Sequence, residues 1–99
     1  MKPLLNMLGL CARAGRLITG EKACVQLIRS GGAYAVALDS AAAPNAVKAV
    51  TQACETHGVP LVRTPEFELG DAIGKPGRMA AAITDAGMAE RVVRLDHMN

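Results

Sequence analysis

Apolar positions along the chain follow a helical or a strand-like rhythm, and glycine or proline marks most of the changes between them. Leu4, Leu5, Leu8 and Cys11 recur at the spacing of one helix face, and Gly15 stops that helix. Arg16-Leu17-Ile18-Thr19 reads as a short strand. Gly20 opens a second helix with two i,i+4 apolar pairs, Ala23 with Leu27 and Cys24 with Ile28, and Gly31-Gly32 ends it. Tyr34 to Leu38 is a short, nearly all-apolar run, as expected of a strand covered on both faces.

Pro44 suits the first turn of a third helix, whose stripe is Ala46, Val47, Val50, Ala53 and Cys54 and whose end is His57-Gly58. Leu61-Val62-Arg63 is another brief strand. Thr64-Pro65-Glu66 supplies a hydroxyl cap, a proline of suitable φ and an acid for a short helix carrying Leu69, Ala72 and Ile73. Gly74 to Arg78 is an exposed loop, Met79 to Thr84 a strand, and Asp85 caps a last helix with Met88, Val92 and Leu95 inward. Helix and strand alternate throughout, which predicts a three-layer α/β/α sandwich around a four-stranded sheet. The 99 residues are expected to form one domain, 1–99, without repeats or linkers.

Composition refines this picture. Hydrophobic residues make up 51% of the chain, and Tyr34 and Phe67 are the only aromatics. The core is therefore expected to be aliphatic, with alanines marking closely packed helices and both aromatics inside. A protein without several exposed rings is poorly suited to unstructured single strands, so any RNA target should be a folded shape. No run approaches the ~20 apolar residues of a membrane span. The start, Met1 to Leu5, is faintly leader-like, but Asn6, Arg13 and Arg16 break the pattern, and an amphipathic helix is the better reading. Cys11, Cys24 and Cys54 are far apart among apolar neighbours, as buried thiols of a reducing compartment would be, and a cytoplasmic location is expected.

Charge is unevenly spread. In residues 1–31, Lys2, Arg13, Arg16, Lys22 and Arg29 are opposed only by Glu21. Asp39, Glu55, Glu66, Glu68 and Asp71 outnumber Lys48 and Arg63 in 32–74, and the remainder is nearly balanced. One positive face meeting a polyanion is compatible with this distribution, as is ordinary solvated charge. Signs of catalysis are lacking. His57 and His97 stand near neither a Ser nor a Cys in a recognisable arrangement, the acids are scattered, and no spacing suits zinc. Gly70 to Lys75 is one residue short of a phosphate-binding loop, and Pro76 occupies the position of its magnesium-binding hydroxyl. Neither an enzyme activity nor a cofactor, metal or small-molecule substrate is expected.

Three glycine-bounded features remain: Ala14 to Lys22, Phe67 to Gly74, and the loop Lys75 to Arg78 leading into Met79 to Ile83. The first carries a strand through Gly20 into a helix start, whose free backbone N–H groups attract anions. With Leu8 to Gly15 (Leu-Gly-Leu-x-x-Arg-Ala-Gly), Gly20-Glu21, Leu69-Gly70 through Gly74-Lys75, and Thr84-Asp85-x-Gly87, the chain resembles the YlxQ-type bacterial members of the ribosomal protein L-seven-Ae/L-thirty-e family of kink-turn RNA-binding proteins. The likeness spans nearly the whole chain. It implies the three-layer fold with a four-stranded mixed sheet, and recognition of a sharply bent duplex with tandem sheared G·A pairs.

The family's reading motif, Gly-x-Asn-Glu-x-x-Lys, falls on Gly20 to Gln26, where Lys22, Ala23 and Gln26 replace Asn, Glu and Lys. Lys22 can only donate, Ala23 cannot accept from a guanine edge, and Gln26 keeps hydrogen bonding without charge. A good side-chain-to-base pair carries about 1–3 kcal/mol of discrimination, so RNA attraction should outlast kink-turn selectivity. The expected RNA-binding set is Arg13, Arg16, Thr19, Gly20, Glu21, Lys22, Gln26, Lys75 and Arg78. The basic side chains would meet phosphates, while the Gly20 helix start and Gln26 approach bases. The expected role is a ribosomal or ribosome-associated protein, monomeric by default. Two alternatives are a protein-interaction module that has lost kink-turn binding and a substrate-recognition domain related to those of RNA methyltransferases.

Overall fold

The computed structural model describes residues 2–98. Its first helix, α1 (Lys2–Arg13), buries Leu4, Met7, Leu8 and Cys11 along one stripe. Gly15, at φ +71°, lets the chain turn back, with the Arg16 amide donating to the Cys11 carbonyl at 2.9 Å. Then follow β1 (Leu17–Thr19), α2 (Glu21–Ser30), β2 (Ala35–Asp39), α3 (Pro44–His57), β3 (Leu61–Thr64), α4 (Glu68–Ala72), β4 (Ala80–Ile83) and α5 (Ala86–His97). Helix α2 ends on left-handed Gly31 and α3 on left-handed Gly58. The Asp85 carboxylate caps α5 by accepting from the Met88 amide at 2.8 Å, as its sequence position predicts.

The sheet order is β1-β4-β2-β3. Strand β4 is antiparallel to both β1 and β2, whereas β2 and β3 are parallel, so the sheet is mixed. One face packs against α1, α4 and α5 through Leu4, Leu8, Leu69, Ile73, Ala89 and Val92. The other packs against α2 and α3 through Cys24, Ile28, Val50 and Cys54. This is the expected three-layer α/β/α sandwich. The alanines divide differently from expectation: Ala35, Ala37, Ala80, Ala81 and Ala82 are all buried in the two central strands. Small side chains there let helices approach the sheet closely from both sides. The three cysteines are buried as expected, and burial pushes the Cys24 and Cys54 thiols up to about 11.

Two further expectations are corrected. Tyr34 is 49% exposed and Phe67 63% exposed, so neither aromatic lies in the core. Tyr34 precedes β2 at the sheet margin, its amide donating to the Ile83 carbonyl. Phe67 is the left-handed residue at the start of α4 (φ +64°), and Leu69 takes the inward position instead. Thr64 does not cap α4 either. It closes β3 beside Asp39, almost wholly buried.

The cap comes from another strand. Asp39, fully buried at the end of β2, accepts from the amides of Ala41 (2.8 Å) and Phe67 (2.9 Å) on Oδ1 and from the Leu69 amide (3.1 Å) on Oδ2. The Thr64 hydroxyl donates to Oδ2 at a longer 3.3 Å. Burial by itself would raise this carboxyl's pKa, but the three amides and the hydroxyl outweigh it and hold the pKa below the ordinary carboxylate value.

Replacing Asp39 with Asn turns an N–H donor toward amides that need acceptors. Chemical denaturation at neutral pH should then show a loss of about 2–4 kcal/mol. Because the folded carboxyl titrates below the unfolded one, its stabilisation is complete above the unfolded pKa of about 4 and lost as pH falls through the folded value. Asp39→Asn should accordingly flatten the acid limb of the stability–pH curve; an unchanged limb would assign acid unfolding to other groups.

Candidate nucleic-acid interface

The ends of β1, β2 and β3 and the start of β4 share one edge of the sheet, as the pairings Thr19 with Ala81, Leu38 with Ala80 and Asp39 with Thr64 require. Four connections emerge there, and two of them meet at Gly20. The first passes from β1 through Gly20 into α2. Gly20 has φ 102° and ψ 145°, its amide donates to the Ala80 carbonyl at 3.0 Å, and its own carbonyl accepts from Cys24. A side chain is disfavoured in that backbone state, which explains the glycine. No side chain caps α2, so the amides of Glu21, Lys22 and Ala23 point outward at the positive end of the helix dipole.

The second connection runs from α4 to β4. Gly74 (φ +73°) and Gly77 (φ +88°) fold it tightly, with the Lys75 amide donating to the Gly70 carbonyl and the Arg78 amide to the Lys75 carbonyl. This turn lies directly on α4: a Cβ on Gly70 would stand 2.8 Å from the Lys75 carbonyl oxygen and 3.0 Å from the Gly77 nitrogen. Held there, the turn delivers Arg78 to the start of α2. A Cβ on Gly20 would lie 3.1 Å from an Arg78 guanidinium nitrogen. Two glycines fifty residues apart in sequence thus serve one junction, Gly70 seating the loop and Gly20 receiving its arginine.

The sequence-predicted residues divide around this junction. Lys22 is exposed in the first turn of α2, and Gln26 is exposed one turn further on the same helix face. Glu21 is exposed beside them, and Thr19 is half-buried at the end of β1. Lys75 and Arg78 are exposed in the same turn. The two remaining arginines stand apart. Arg13 lines a groove between α1 and α4 with Lys2, Asn6, Glu68 and Asp71, where carboxylates compete with any phosphate. Arg16 sits at the opposite end of β1, its carbonyl accepting from the Thr84 amide. Four residues of extended chain put it about 13 Å from Gly20.

Ala23, at the acceptor position of the motif, is half-buried like Leu27, its apolar partner one turn on. Phe67 belongs to the same edge of the sheet, because its amide is bonded to Asp39 at the end of β2. Its neighbours Glu66 and Glu68 are both exposed. Among the described residues, no cluster of three or more His, Cys, Asp or Glu side chains could hold a metal ion, and no helix is long and apolar enough to cross a membrane.

Known proteins are similar to this chain in sequence and architecture. The chain is 36% identical over 90 residues to the RNA-binding protein YlxQ of Bacillus subtilis, covering 90% of each chain. It is also 36% identical over 92 residues to the RNA-binding protein YlxQ of Enterococcus faecium, covering 92% of this chain and 88% of that one. Among solved structures, a Bacillus halodurans protein of unknown function superposes with a TM-score of 0.90 at 33% identity, over 95% of this chain and 96% of that one. The Giardia lamblia 15.5kD RNA binding protein shares the fold, with a TM-score of 0.77 at 24% identity over 96% and 85% of the two chains. With residues 3–93 matched by the family's sequence model, this chain belongs to the ribosomal protein L7Ae/L30e/S12e/Gadd45 family.

Proposed function

We propose that this protein is a non-enzymatic, cytoplasmic RNA-binding domain that docks the junction of Gly20 and Arg78 against structured, kink-turn-like RNA as part of a ribosomal or ribosome-associated particle. The observation that carries the reading is the seating of the Arg78 guanidinium at the uncapped start of α2. Outward amides, a helix dipole and the cations Lys22 and Arg78 there would hold a phosphate, with Lys75 in the turn that carries Arg78. Glycine at position 20 leaves room for a sugar or base edge to approach the backbone. The names of the two bacterial relatives support the same reading. Arg13 and Arg16 are assigned to its periphery, contributing long-range attraction.

In this reading phosphate contacts supply affinity, and base contacts are few. Lys22 and Gln26 face the RNA from adjacent turns, and Thr19 and Glu21 border the junction. Ala23 offers no acceptor to a guanine edge. That absence favours modest selectivity for kinked over straight RNA, and it is also what a fold kept for protein interaction would show.

An electrophoretic shift with kink-turn RNA and a straight duplex control tests the proposal. Binding that favours the kinked RNA is expected, and no shift with either RNA would leave the protein-interaction reading. Replacing both Lys75 and Arg78 with Ala should reduce the slope of log affinity against log salt by nearly one for each phosphate that is no longer neutralised. An unchanged slope would remove both from the interface. Ala23→Glu restores the missing acceptor and should raise the preference for kinked over straight RNA about ten-fold, measured as a ratio of dissociation constants. An unchanged ratio would show that α2 does not read bases at this position.

A further inference from the structure

The two edges of the sheet are finished differently. In the order β1-β4-β2-β3 the outer strands are β1 and β3. Strand β3 is guarded as edge strands usually are: Pro60 and Pro65 bracket it, and Arg63 within it is exposed. Strand β1 consists of Leu17, Ile18 and Thr19, with neither proline nor charge, and Ile18 is 41% exposed. The bonds to β4 show which backbone groups of β1 are free. The Arg16 carbonyl accepts from the Thr84 amide and the Gly20 amide donates to the Ala80 carbonyl, so positions 16, 18 and 20 bond toward β4. Leu17 and Thr19 therefore turn their amides and carbonyls outward, and among the described residues nothing bonds to them.

Free groups placed evenly on either side of Ile18 are what a second β1 would match. With the strands antiparallel and Ile18 opposite Ile18, each Leu17 lies opposite the partner's Thr19, and the two exchange amide-to-carbonyl bonds. One register thus satisfies every outward group of both strands. The isoleucines become a non-hydrogen-bonded pair, with Cα atoms about 4.5 Å apart, and cover each other's exposed side chains. The same register sets Arg16 opposite the partner's Gly20. Side chains at 16, 18 and 20 belong to one face of the sheet. On that face a Cβ at Gly20 would stand 3.1 Å from an Arg78 guanidinium nitrogen, so the partner's Arg16 arrives on the side where Arg78 lies. Glu21, exposed at the next position, supplies the opposite charge.

We infer that two copies of this chain pair antiparallel through β1, and that each lends its Arg16 to the Gly20–Arg78 junction of the other; the part played by Arg16 rests on the RNA-binding reading above. Within one chain Arg16 lies about 13 Å from Gly20, whereas across the pair it stands opposite. The contact is small, so the chains pair weakly on their own. A phosphate held between Arg78 and the partner's Arg16 favours the pair by mass action. Pairing and RNA binding are therefore linked, and each strengthens the other.

Sedimentation velocity over a concentration series, with and without kink-turn RNA, tests the pairing. The wild type should shift from one chain toward two as concentration rises, and RNA should lower the concentration needed about ten-fold. Ile18→Lys, which puts a charge on the strand edge, should stay at one chain throughout. The native cysteines are buried, so Ile18→Cys supplies the accessible thiol. Two such thiols should form a disulfide across the pair as glutathione disulfide is reduced to glutathione, while Leu10→Cys, equally exposed on α1, links far more slowly. Arg16→Ala should weaken RNA binding about ten-fold and lower the salt slope by nearly one, yet change neither when Ile18→Lys is also present. Equal linking of both cysteine variants, or a pair that survives Ile18→Lys, would put the contact elsewhere and overturn the inference. A single chain at every concentration, with and without RNA, overturns it too, and an electrophoretic shift would still uphold RNA binding. If the chains pair through Ile18 but no RNA binds, the β1 contact stands while the RNA reading and the part of Arg16 fall.

Discussion

A carboxylate with no access to water organises one end of the sheet. Asp39 ends the central strand β2, and its two oxygens gather amides from the following loop and from the start of α4. Burying an ion is costly unless its oxygens are satisfied by donors, and here three backbone amides provide most of that satisfaction. The arrangement works in both directions: the amides keep the group ionised, and the ion orients the β3–α4 turn. Position 67 is left-handed and α4 starts where it does because this anion claims the amides of Phe67 and Leu69.

The position of α4 then fixes the loop that follows. Gly70 is buried in α4 and has no room for a side chain, because the Lys75–Gly77 backbone occupies that space. From this seat the chain reaches Arg78 and enters β4 at Ala80, beside both β1 and β2. A β4 placed between those two strands brings residue 78 against residue 20. Alanines in β2 and β4 assist by letting both helical layers close on the sheet without large side chains between them. The cationic junction is therefore a product of packing on the α4 side and of strand order in the sheet.

Charge alone would have drawn this surface differently. Arg13 and Arg16 belong to the basic opening third of the sequence, yet one shares a groove with Glu68 and Asp71 and the other lies at the far end of β1. Arg78 comes from a later segment and reaches the start of α2 through the fold, with Lys75 in the same turn.

By itself the sequence determined the succession of helices and strands, the inward stripes of α1, α2, α3 and α5, and the glycine stops at 15, 31 and 58. It also determined the Asp85 cap and the start of α2 at Gly20. These are local matters, settled within a few residues by side-chain periodicity and by backbone states that favour glycine. Tertiary structure alone decided that Asp39 rather than Thr64 caps α4, that both aromatics face outward, and which cations share a surface. The cap and the shared cations depend on partners 28 to 58 residues away: Asp39 bonds Phe67 across 28 positions, and Arg78 meets Gly20 across 58. A linear pattern carries no signal for such pairs, because sheet order and loop seating, not spacing along the chain, bring them together.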